Sequence, residues 1–125
     1  MGAQPGRAPR EAITVLGVEP REIDDPGNGG TISTSRPGYV NLVTLSGAQT
    51  RTLADPKYIG QELDLFFESF GGGTCTITSS SPVNQDGHTS LPFLVTGDHV
   101  RLVGHYNPTD GWEWRVICAD GVTPA

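Results

Sequence analysis

The chain has 125 residues and a formal charge of −6, with 8 Lys+Arg against 14 Asp+Glu, and it carries 17 glycines and 10 prolines. That length fits one domain, the glycine and proline content favours turns and short strands over long helices, and the acidic balance repels a phosphate backbone, setting nucleic-acid binding aside. No run of about 18 apolar residues occurs and the first residues lack a signal-peptide core, so no membrane partner is expected and synthesis in the cytosol is.

Residues 1–30 hold prolines at 5, 9, 20 and 26 and end on "DPGNGG", with "AITVLGV" their single strand-like run. Such a segment cannot bury itself, so an extended N-terminal arm over 1–30 is expected ahead of a β-domain over 31–125. From Thr31 onward strand candidates arrive at regular spacing: "TISTS", "YVNLVTL", "QTRTL", "ELDLFFES", "TCTITSS", "TSLPFLV", "DHVRLVGHY" and "WEWRVIC". The breaks between them, among them "RPG", "SGA", "DPKYIG", "FGGG" and "TGD", are turn signals. The pattern predicts an all-β fold, a small antiparallel sandwich or barrel of about eight short strands, with Pro92 marking an edge or bulged strand. "GGTISTSRP" and "GGTCTITSSSP" echo one another; two similar turn-to-strand transitions explain that without a repeat array.

The last two runs, joined by "NPTDG", predict an antiparallel hairpin. Alternation puts Trp112, Trp114, Val116 and Cys118 on one face and Glu113, Arg115 and Ile117 on the other. Large aromatics alternating with charge belong in a core, with Trp112, beside the turn, at its rim. Cys75 and Cys118 both lie in strand patterns and are expected as buried, reduced thiols.

Residues that could carry chemistry do not converge in the sequence. His99 and His105 share a strand face but stand about 20 Å apart, too far for one metal ion. His88, in "NQDGH", has Asp86 nearby and suits a loop. "DDPGN" lacks the spaced acids and closing glutamate of a calcium loop and is expected to be a turn. Glu62 and Asp64 share a face at about 6.5–7 Å, a separation found between glycosidase carboxylates, yet any solvated face of an amphipathic strand gives it. No Gly-x-Ser-x-Gly elbow is present, and "FGGGT" lacks the lysine of a phosphate loop. No catalytic residue, metal site or cofactor is therefore expected.

The order "YVNLVTLSGAQTRTL", "IGQELDLFFES", "GGGTCTIT", "GDHVRLVGHY" and "GWEWRVI", over about residues 39–119, resembles the β-domains of tailed-bacteriophage virion proteins, including capsid decoration (cement) proteins and head fibres. The carriers are the Gly72–Thr78 entry to a Thr-Ile-Thr strand, the Gly97-Asp98 turn, and the closing Trp114–Val116 strand. The resemblance implies a non-enzymatic β-domain, commonly a homotrimer, made in the host cytoplasm and seated on the outer capsid of the virion. It also implies extended terminal segments gripping the major capsid (coat) protein, so the expected role is capsid stabilisation by protein–protein interaction.

In this chain the arm carries that expectation. Proline pre-extends it, "AITVLGV" can add a strand to a partner's sheet, Arg7 and Arg10 can pair with acidic coat residues, and Ile13, Val15 and Leu16 supply apolar area. An alternative of another class is a carbohydrate-binding or receptor-binding β-module, with Tyr39, Tyr106 and Trp112 as a platform for sugar rings and Glu113 and Arg115 as polar anchors. A small hydrolase using Glu62 and Asp64 is a third.

Overall fold

The computed structural model describes residues 21–84 and 87–125. Its strands are β1 (Thr31–Ile32), β2 (Gly38–Thr44), β3 (Ala48–Leu53), β4 (Glu62–Ser69), β5 (Thr74–Ser79), β6 (Ser90–Phe93), β7 (His99–Asn107) and β8 (Gly111–Asp120), and there is no helix among the described residues. The fold is all-β. Alternation placed these strands to within about two residues at each end, apart from β1, which pairs over only two residues.

The strand directions correct the antiparallel expectation. Two four-stranded sheets form, a first sheet in the order β1-β3-β5-β6 and a second in the order β2-β4-β7-β8. The pairs β1/β3, β3/β5 and β2/β4 are parallel, while β5/β6, β4/β7 and β7/β8 are antiparallel. The cause is the path of the chain. From β1 to β5 it changes sheet at every connection, so each sheet receives its next strand after a full circuit, running the same way as the last. Only β5–β6 and β7–β8 are consecutive neighbours, and these form the antiparallel hairpins. The two Gly-Gly-Thr entries feed β1 and β5, which flank β3, with Thr31, Thr52 and Thr78 in line across the three strands. The echo thus marks circuits of one wound sheet.

Alternation supplies the core. Ile32, Leu53, Cys75, Ile77, Leu91 and Phe93 of the first sheet are buried, as are Val40, Leu42, Leu63, Leu65, Phe67, Val100, Leu102 and Trp114 of the second. Phe67 and Phe93 meet across the two sheets at a ring separation of 6.1 Å. Each aliphatic side chain so buried contributes about 1.5–3 kcal/mol.

Three of the four sheet edges are covered, which blocks strand addition there. Along β8, Trp114 N donates to Pro82 O at 2.9 Å and Asn84 N to Trp114 O at 2.8 Å. Val116 N donates to the Asn84 side-chain oxygen at 2.7 Å. Along β6, Ala125 exchanges backbone hydrogen bonds with Ser90; β6 is the edge strand that Pro92 indicated. Along β2, Tyr39 pairs with Arg21 and Ile23 through bonds of 2.9 and 2.7 Å. Gly38 is required there, because a Cβ would collide with the Arg21 carbonyl oxygen.

The structure also corrects the closing strand. Arg101 faces Cys118 while Leu102 faces Val116, so Ile117 is an extra residue in β8. One inserted residue moves every later side chain to the opposite face. Trp114 is buried, Val116 packs against the core, Trp112 is half-buried at the rim, and Cys118 is exposed on the outside. Both cysteines are free thiols, but only Cys75 is buried.

Candidate functional site

The domain begins earlier than residue 31. Ile23 is in the core, and Asp25 receives the Arg51 guanidinium through Nε at 2.8 Å and Nη2 at 3.0 Å. Arg51 follows the inward period of β3, between Gln49 and Leu53, and is 1% exposed. Its remaining nitrogen donates to Gln49 at 2.8 Å, and Nη2 also reaches the Val43 carbonyl of β2 at 3.2 Å. Asp25 further accepts from Val43 N at 3.0 Å and Gly27 N at 3.2 Å. Burial pushes the Asp25 carboxyl upward, but its bonds from Arg51, Val43 and Gly27 outweigh this and hold it below the usual aspartate range. Burial likewise raises the Cys75 thiol, against the pull of nearby Arg51. Arg51 therefore joins the two sheets and the entry segment through one buried, fully engaged charge.

The outward positions of the second sheet hold the other acids. Asp64 accepts from Arg101 at 2.9 and 3.3 Å and lies 3.1 Å from His99 Nε2. His99 stacks on Phe66 at 4.6 Å, and Phe66 meets the edge of Tyr39 at 6.0 Å. Glu62 lies across from Val103, while Asp64 is tied sideways into the sheet by Arg101 and His99. His105 stands opposite Glu113, six residues along β7 from His99. Glu113, expected on the solvent side, is 4% exposed, held by Asn107 at 2.9 Å and Arg115 at 3.1 Å.

The suggested sugar platform divides in two. Tyr106 and Trp112 meet edge to face at 5.1 Å, close to the hairpin turn. Tyr39 lies on the row of Asp64 and Arg101, roughly 17 Å down β7 from Tyr106. Beside Tyr106, Gly104 lets the β3–β4 loop approach: a Cβ there would meet Pro56 at 2.6 Å and Tyr58 O at 2.7 Å. The arm residues Arg7, Arg10, Ile13, Val15 and Leu16 lie outside the described residues, as does Asp86 beside His88.

The acids of "DDPGN" part company, since Asp25 turns to Arg51 while Asp24 lines a cavity of about 420 Å³ with Ile23, Pro26, Thr31, Ser33, Ser35 and Arg36. Arg36, one of these lining residues, donates from Nη2 to Glu22 O at 2.8 Å.

The outward face of the first sheet was not singled out by the sequence reading. Its rows are Thr31, Thr52, Thr78 and Ser90; Thr50, Thr76 and Pro92; and Ala48 and Thr74. No charged side chain stands at any of these outward strand positions. The signal was present as Thr-x-Thr in "QTRTL", "TCTIT" and "TITSS", which places threonine at successive outward positions. This face runs into a tip where Leu45, Phe70, Leu94 and Val95 are 66, 68, 57 and 65% exposed. Hydrogen bonds join the three turns that carry them: Phe70 N to Thr44 O at 3.0 Å, and Ser69 N to Thr96 Oγ1 at 2.9 Å. Asp98 caps the last turn, accepting from Leu94 N and Val95 N at 2.9 and 3.1 Å.

No family model matches the chain, and no curated protein matches its sequence.

Proposed function

We propose that the chain is a structural virion protein that decorates and stabilises the outer capsid of a tailed bacteriophage by binding coat subunits. The observation that carries this reading is the way the chain enters the domain. Arg21 to Ile23 lie parallel to the edge of β2 and Asp25 is locked to Arg51, so residues 1–20 are tethered to a rigid β-body. A firmly tethered, proline-rich segment suits a grip on a partner, because force on it is borne by the fold and little entropy is lost on docking.

The acids Asp25, Asp64, Asp98 and Glu113 support a structural role, being engaged in caps and ion pairs within the fold. In this proposal Arg7, Arg10, Ile13, Val15 and Leu16 contact the coat. The test is cryo-electron microscopy of native virions that contain the chain. Density for the β-domain on the outer shell, with residues 7–16 running along coat subunits, is the expected result. Density confined to the tail, or a domain seated on the shell without its N-terminal segment in contact, would overturn the proposal.

A further inference from the structure

We propose that the threonine face of the first sheet and its apolar tip form the surface through which copies of this chain associate with one another. This inference is independent of the capsid reading.

The first argument is charge. In a symmetric assembly a residue near the axis meets its own twin. A face bearing charge then sets like against like, unless each charge finds an opposite partner. The outward second sheet carries Glu62, Asp64, Glu68, His99 and Arg101, on a molecule of formal charge −6. The outward first sheet carries threonine, serine, alanine and proline alone, so two copies can close on it with no ion to desolvate.

The second argument is shape and area. Small side chains on a regular sheet let a second sheet approach to about 10 Å. The nine outward positions of the three rows span roughly 300 Å², and the exposed Leu45, Phe70, Leu94 and Val95 extend the surface to on the order of 600 Å². That approaches the ~800 Å² per partner of a stable interface. The third argument is exclusion of the other route. Cover along β2, β6 and β8 hinders strand addition at those edges, and the fourth edge, β1, offers only two residues, which favours face-to-face contact. Two such faces pack as a dimer, and three turned toward a common axis close a prism; the measured mass reads which.

Sedimentation equilibrium on the full chain tests this. The expected result is a mass of two or three times 13.2 kDa at about 100 µM, undiminished in 1 M salt because no ion pair carries the contact. Thr76→Lys, at the centre of the face, and Leu94→Asp, in the tip turn, should each return the mass to that of a monomer while the circular dichroism spectrum stays that of the wild type. The two sites lie on different elements, so a folding defect in one leaves the other as a test. A wild-type monomer at that concentration would overturn the proposal, as would association that survives both substitutions or dissolves in salt.

Discussion

The two outward faces of this domain obey the same period of two and have opposite characters. On the second sheet the outward side chains bond to one another: Asp64 to Arg101 and His99, Asn41 to Glu68 at 3.3 Å, Phe66 to His99 and Tyr39. On the first sheet they are short hydroxyls ranked in register. A face whose charges are bonded to neighbours yet remain acidic in balance resists a second copy of itself, whereas an uncharged face of small groups beside exposed leucine, valine and phenylalanine retains area to bury. The division depends on the two sheets being held in one arrangement, and that is where it can be broken.

The largest effect is expected at the lock between the sheets. Asp25→Asn leaves Arg51 buried without a counter-charge and should destabilise the domain by about 3–5 kcal/mol in urea or thermal unfolding. Deleting residues 2–20 should leave the cooperative melt intact, whereas deleting 2–27 should not, since it removes Ile23 and Asp25 as well. A smaller loss, about 1–3 kcal/mol, is expected for Gly104→Ala, which forces a methyl group onto Pro56 and the Tyr58 carbonyl.

Acid should act on the same lock. The Asp25 carboxyl is lower in the folded chain than in the unfolded one, so its contribution is complete above the ordinary aspartate value of about 3.9 and fades as pH falls through the lower folded value. A melting series across that window should show a step that Asp25→Asn lacks. On the charged face Asp64→Asn should cost no more than about 1 kcal/mol, because Arg101 is half exposed and the pair is screened. On the hydroxyl face Thr50→Val should change monomer stability by less than about 0.5 kcal/mol.

The thiols sharpen the same contrast between inside and outside. Cys118 should react at once with an aromatic disulfide reagent in the folded chain and Cys75 only after unfolding. Two slow thiols would show that the shift at Ile117 is absent.

Much of this architecture was legible from residue spacing. Alternation located the strands because each has one wet and one buried side, and Pro92 correctly indicated an edge. Strand direction was not legible, since it depends on which sheet each connection enters, and a turn such as "SGA" serves a hairpin or a crossing equally well. The Ile117 shift was hidden because β8 alternates without interruption in sequence, so Cys118 seemed to follow Trp114 and Val116 inward. Arg51 was visible as a charge at an inward position beside Leu53, a signal that a partner was needed. The partner, Asp25, lies 26 residues earlier, inside a segment whose prolines and glycines resembled an arm. The threonine ranks were visible as Thr-x-Thr, but their alignment depends on register between strands of successive circuits.

The most direct measurement compares one lysine on each face in the same centrifuge run. Asn41→Lys, on the outward second sheet, should leave the chain associated as the wild type is, and Thr52→Lys, on the outward first sheet, should reduce it to 13.2 kDa. Equal behaviour of the two variants, both associated or both monomeric, would contradict the division of labour between the faces.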